Sequence, residues 1–190
     1  MKIGTMLNPI AAWNAEHAYF ARLLDLLERQ VDVLHTGERP NYELMFDIIF
    51  YLRDFSDRSH HPREDAAFTR LAQRRPGMAL ELARVRQEHR VIAHAGETLL
   101  TLLNEIVEGG VIARAEVEAA AATYLVYYRS HIANEDRNVL PHAAELLTPA
   151  DWEAVRTAVP VISDPLFGPD PEERYRELRR QIARETLAAP

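Results

Sequence analysis

Four long stretches of the chain carry apolar residues at alternating intervals of three and four. In the first, residues 8–35, Ile10, Trp13, His17, Phe20, Leu24, Leu27, Val31 and Leu34 fall on one stripe. A helix turns once in about 3.6 residues, so this spacing marks a single buried face. Asn8 is a capping residue, Pro9 suits the first helical position, and Gly37 and Pro40 end the run. The second stretch, 41–75, gives Met45, Ile49, Leu52, Ser56, His60, Glu64, Ala67 or Phe68, and Leu71, and stops at Arg74-Arg75-Pro76-Gly77. The third, 78–108, gives Met78, Leu82, Val85, His89, Ile92, Gly96, Leu99, Leu103 and Ile106, and stops at Gly109-Gly110. The fourth, 114–147, gives Val117, Ala121, Tyr124, Tyr128, His131, Glu135 and Val139. No stretch alternates with a strand period. Four long helices with short connections predict an all-α fold, an antiparallel up-down four-helix bundle over residues 1–147.

Residues 148–190 predict a short C-terminal helical extension that packs on the bundle or on a second subunit. Thr148-Pro149-Ala150-Asp151 starts a helix to Val159. A connector rich in proline follows. A charged amphipathic helix then runs from Asp170 to Leu187, with Tyr175, Leu178, Ile182 and Leu187 on its apolar side.

Polar residues interrupt the four stripes in their middles. His17, His60, Glu64, His89, His131 and Glu135 all hold inward phases. His60 and Glu64 are four residues apart, as are His131 and Glu135, so each pair shares one helix face. An ionised glutamate buried among leucines is very costly unless it is paired or bound to a metal. Imidazole with carboxylate is a donor set for iron, zinc or manganese. His61 is rotated about 100° from His60 on a regular helix. It faces inward if Pro62 distorts the turn, and solvent otherwise. His94 lies about 140° from His89 and reads as a surface or supporting position. His142 falls near the bundle end, and Tyr124 and Tyr128 read as core residues whose hydroxyls find partners.

An up-down bundle brings these mid-helix residues to one level. Five histidines and two glutamates exceed what a tetrahedral zinc ion takes. They suit two metal ions bridged by the carboxylates. Two octahedral ions offer about twelve positions, of which the seven side chains fill about nine and a bridging oxygen about two. About one is left for a small ligand.

Composition narrows the chemistry further. The chain has no cysteine, which excludes disulfides, thiolate zinc sites, iron–sulfur clusters and cysteine nucleophiles. The net charge of -7 disfavours non-specific binding to nucleic acid. No run approaches the roughly 18–20 apolar residues of a membrane span. Met1 to Trp13 lacks the pattern of a signal peptide, so a cytoplasmic location is the default expectation. A ferritin-like di-iron site wants Glu-x-x-His pairs, and the sequence has none.

His60-His61-Pro62-Arg63-Glu64-Asp65 and His131-Ile132-Ala133-Asn134-Glu135, with His17 and His89, resemble the hemerythrin-like (HHE cation-binding) family over about residues 10–147. The resemblance implies a non-haem di-iron centre in a four-helix bundle: two Fe ions joined by an oxo or hydroxo bridge. By the same resemblance, His17 is the lone ligand of the first helix, His60 and His131 are terminal ligands, His89 serves from the third helix, and Glu64 and Glu135 bridge. His61 matches a position that carries a histidine or glutamate ligand in many members. The oxygen-carrying hemerythrins have two histidines four apart on the third helix, whereas Arg90-Val91-Ile92-Ala93 follows His89 here. They place an aspartate five residues after the fourth-helix histidine, the position of Asp136, but Glu135 fits the seam. The implied function is binding of oxygen or a related small ligand, nitric oxide or peroxide, for sensing, iron handling or stress protection. The alternatives are a di-iron enzyme turning over peroxide or nitric oxide, and a structural bundle binding one zinc. The expected partner is a small diatomic ligand or peroxide, with no nucleic acid and no membrane. A homodimer through the tail helix is a further expectation.

Overall fold

A computed structural model describes residues 9–169 and 171–188, with side chains through 184. Helix α1 spans Ile10–His35. The expected cap, Asn8, lies outside the described residues. The Pro9 carbonyl accepts from the backbone of Ala12 and Trp13. At the far end Gly37 adopts φ +91°, a left-handed conformation that glycine takes without strain. Arg114 donates from Nη1 to the Leu34 carbonyl (2.7 Å) and from Nη2 to the Gly37 carbonyl (3.0 Å). This cation meets the negative end of the α1 dipole and joins it to the start of the fourth pass.

The second and fourth passes are not the single regular helices that their stripes predict. The second consists of α2 (Tyr42–Tyr51), a π-helical stretch over Leu52–His60, and α3 (His61–Arg74). The His61 N–H bonds to the Ser56 carbonyl, five residues back. The fourth consists of α5 (Arg114–Asn134), a π-helical stretch over Glu135–Val139, and α6 (Leu140–Leu146), with the Leu140 N–H bonded to the Glu135 carbonyl. Each π stretch ends two residues before a proline, Pro62 or Pro141. A proline ring collides with the carbonyl four residues earlier in a regular α-helix and supplies no N–H. The wider π turn, which admits an extra residue, relieves that collision. The third pass opens with a 3₁₀ turn over Pro76–Met78 and continues as α4 (Ala79–Val107).

Chain direction follows from the core. One apolar cluster holds Phe20, Leu24, Ile49, Phe55, Ile92, Leu99, Tyr124 and Tyr128; a second holds Trp13, Phe68, Leu82, Val85, Val139 and Leu140. α1 runs from the second cluster to the first, the next pass returns, α4 runs as α1 does, and α5–α6 returns again. The bundle is therefore up-down-up-down. On every pass the buried histidines and glutamates lie between the two clusters, in one polar layer. α4 packs closely on α5 because Gly96 has no side chain: a Cβ there would stand 2.9 Å from the Tyr124 ring.

Residues beyond 147 pack onto this frame. Thr148 and Asp151 form a capping box at the start of α7 (Pro149–Ala158), and Arg74 donates to both side chains. Trp152 and Val155 join the second cluster, with the Trp152 ring edge-on to Trp13 at 5.8 Å. Leu166, Tyr175 and Leu178 join the first. Asp164 accepts from the Tyr51 hydroxyl (2.9 Å) and from the backbone N–H groups of Leu166 and Phe167. The expected helix start at Asp170 lies outside the described residues, as does the side chain of Leu187. The chain passes through a 3₁₀ turn over Glu173–Tyr175 into α8 (Arg176–Ala188). Among the described residues, no helix is long and apolar enough to cross a membrane.

Gly96→Leu is expected to overpack the α4–α5 seam and cost about 1–3 kcal/mol in chemical denaturation. Gly77→Ala, where an added Cβ meets nothing, is expected to cost far less.

Candidate metal centre

The polar layer gathers all seven predicted residues. His17, His60, His61, Glu64, His89, His131 and Glu135 are each at most 5% exposed. On one side, His17 Nε2 stands 2.9 Å from His60 Nε2, and both face Glu64 Oε1, at 3.4 and 3.2 Å. On the other, His89 Nε2 lies 3.3 Å from Glu135 Oε1 and His131 Nε2 lies 3.1 Å from Glu135 Oε2. The two carboxylates span the halves. Glu64 turns Oε2 to His89 (3.7 Å), and Glu135 turns Oε2 to His17 (3.5 Å). The donor atoms of His17, His60 and Glu64 lie within 4.8 Å of one another, as do those of His61, Glu64, His89 and His131. Glu64 is common to both groups.

This donor set fits metal ions. Both oxygens of Glu64, Oε2 of Glu135 and Nε2 of His131 are buried with no hydrogen-bond partner among the described residues. A buried carboxylate left this way is expensive, and a cation at its face removes the cost. Nitrogen and oxygen donors bound at about 2.1 Å in cis positions of an octahedral ion lie about 3 Å apart. The inward distances cluster around that value.

The outward nitrogens explain why the rings hold these orientations. Nδ1 of His17 bonds Asp136 (2.7 Å), His60 bonds Glu16 (2.5 Å), His89 bonds Asp65 (2.9 Å) and His131 bonds Glu88 (3.1 Å). Nδ1 of His61 lies 3.2 Å from Asp57 without hydrogen-bond alignment. A carboxylate on Nδ1 fixes the tautomer and leaves the Nε2 lone pair for a metal. Four of these acids are sequence neighbours of a central residue, yet each serves another helix: Glu16 beside His17, Asp65 beside Glu64, Glu88 beside His89, and Asp136 beside Glu135. One residue along a helix is a rotation of about 100°, which aims the acid at the adjacent helix. Buried Arg63 completes one such contact. It donates from Nη2 to Glu16 (2.8 Å) and from Nε to the Ser59 carbonyl at the end of the π stretch (3.0 Å).

His61 faces inward, stacked on His89 at 4.2 Å, because the π turn carries it round. His94 is exposed. His142, half-buried, meets Arg75 at the bundle end. Asp136 bonds His17 from outside while Glu135 occupies the layer, as the seam phase predicts. The supporting roles of Glu16, Asp57 and Glu88 were not legible from the stripes; an acid adjacent to a seam histidine or glutamate is the signal that finds four of the five acids.

Without metal, the imidazoles and carboxylates of the layer shift one another's protonation. Burial opposes protonation of His17, but the Asp136 bond and the nearby Glu64 and Glu135 outweigh it and hold the ring up at about 10. Burial likewise opposes His89, and Asp65, Glu135 and Glu64 raise it to about 10. Burial opposes ionisation of Glu64, yet His60 and His17 keep its carboxyl well below the usual range. Burial and neighbouring imidazoles push His61 well below its ordinary value, so it is neutral. Burial pushes Asp57 up to about 7.

The metal-free chain therefore has a stability window. The raised imidazoles contribute fully below about 6.5 and lose their contribution as pH rises through about 10. The lowered Glu64 contributes above about 4.5 and loses it as pH falls further. Chelated protein is expected to melt lower at pH 10 than at about pH 6.5, by calorimetry. Metal-loaded protein, whose imidazoles carry no Nε2 proton, is expected to lack this alkaline decline.

No curated protein and no solved structure matches the chain. The family model for the hemerythrin HHE cation binding domain matches residues 8–143, the stretch that carries every residue of the polar layer. With that match and a buried histidine–glutamate cluster fitted to metal, the chain belongs to the hemerythrin HHE cation-binding family.

Proposed function

We propose that the protein is a non-haem di-iron protein of hemerythrin type that binds oxygen or a related small ligand, nitric oxide or peroxide, for sensing, iron handling or stress protection. The observation that carries this reading is that Glu64 and Glu135 each face both sets of imidazoles. A single ion needs no such shared carboxylates. His17 and His60 would hold one iron, His61, His89 and His131 the other, and Glu64 and Glu135 would bridge them. Iron in this position supplies reversible redox change and a coordination place for a small ligand.

The residues around the layer shape that chemistry. The Nδ1 carboxylates orient the rings and raise their basicity toward a cation. Phe20 lies edge-on to His60 at 5.0 Å, and Trp13 at 6.4 Å, so the His17–His60 side is walled by hydrocarbon. Tyr128 walls the His61 side. Water is thereby kept from the buried donors, which strengthens their electrostatic hold on a cation.

Metal analysis is expected to give two irons per chain, and Glu64→Ala with Glu135→Ala to abolish the pair; zinc alone, or iron content unchanged in that variant, contradicts the reading. Reduced protein exposed in turn to oxygen, nitric oxide and peroxide separates reversible spectral change from consumption of the ligand. The chain's two tryptophans are Trp13, beside His60, and Trp152, packed on Trp13. Iron loading is expected to quench their fluorescence, and chelation to restore it.

A further inference from the structure

Four of the five central imidazoles hold Nε2 within 3.1–3.7 Å of Glu64 or Glu135. His61 is engaged elsewhere. Its Nε2 lies 3.2 Å from Ser56 Oγ, and that oxygen lies 2.5 Å from the Tyr128 hydroxyl. Ser56 and Tyr128 are both fully buried. The π stretch creates this pairing. Residues five apart stack one turn above another there, as residues four apart do in an α-helix, so Ser56 sits over His61. One ring nitrogen of His61 is nonetheless within 4.8 Å of the donor atoms of Glu64, His89 and His131.

With the ring proton on Nδ1, the nitrogen that faces Asp57 at 3.2 Å, the lone pair lies on Nε2. The Ser56 hydroxyl donates to that lone pair. Ser56 has only one proton, so the Tyr128 hydroxyl donates to Ser56 Oγ. In that tautomer the one free ring lone pair of His61 is taken by a buried hydroxyl, and a metal ion binding there must break that bond.

We propose that Ser56, oriented by Tyr128, is a positioning residue that keeps His61 an exchangeable ligand, moving between the hydroxyl chain and the metal position of His89 and His131. This rests on the two-metal reading above. That position then fills second, and withdrawal of His61 to Ser56 frees a coordination place there for a small ligand. A purely structural Ser56–Tyr128 pair, one that only braces the π turn, changes fold stability and leaves metal affinity alone.

The test is titration of the full, chelator-stripped chain with Co(II), followed by calorimetry and by the visible absorption of the bound ion. Wild type is expected to bind two ions in unequal steps. Ser56→Ala is expected to tighten the second step about three- to tenfold, the worth of one buried hydrogen bond, with two ions still bound. Tyr128→Phe, which keeps the serine, shifts it less and in the same direction. In a His61→Ala background the Ser56→Ala effect vanishes, since the competition has no target. The proposal is overturned if Ser56→Ala leaves the second step unchanged or weaker, or acts equally without His61. Wild type binding fewer than two ions overturns the two-metal reading itself, and this inference with it.

Discussion

The structure depends on two carboxylates buried at its centre, whose charge must be met inside the layer. Glu64 and Glu135 lie at the centre of the bundle, with three of their four oxygens lacking any hydrogen bond among the described residues. Charges in such a place are tolerated only beside opposite charge. Without metal that charge comes from protonated imidazoles, with His17 and His89 held up at about 10. With metal it comes from the ions, and the imidazole protons leave. The layer is thus neutralised in two interchangeable ways, and folding, metal affinity and pH are linked through the same residues.

The cost of this layer is spread over the fold. The apolar core is split into two clusters, one on each side of the polar level. Each of the four passes contributes a central residue and, next to it in sequence, an acid that orients a ring on another pass. The helices are therefore tied across the bundle by Nδ1–carboxylate contacts as well as by packing. Trp152 of the extension lies against Trp13, which in turn lies against His60, so the segment beyond residue 147 reaches within one ring of the layer.

Much of the centre was legible in the sequence because buried phase is simple to count. His17, His60, Glu64, His89, His131 and Glu135 fall on stripes that otherwise hold only apolar, small or tyrosine side chains, and all six are buried in one layer. His61 was undecidable by phase alone. Its orientation depends on a shift from four-residue to five-residue hydrogen bonding, and hydrophobic spacing does not encode that shift. Pro62 pointed to it, and Pro141 marks a second shift that the fourth stripe did not show. Asp57 escaped with it, since it stands four residues before His61 and joins the layer only if His61 does. Periodicity put Tyr175 on the apolar side of the tail helix but did not say which surface that side meets, and it gave no signal for Trp152, whose short helix is docked by Arg74 on its capping box.

The central claim is that Glu64 and Glu135 are shared by two metal ions. Anomalous diffraction at the iron edge on crystals of the loaded chain tests it most directly. The account predicts two peaks within the layer, one beside His17 and His60 and one beside His89 and His131, with both glutamates lying between them. A single peak, or a pair that leaves either glutamate without contact, would contradict it.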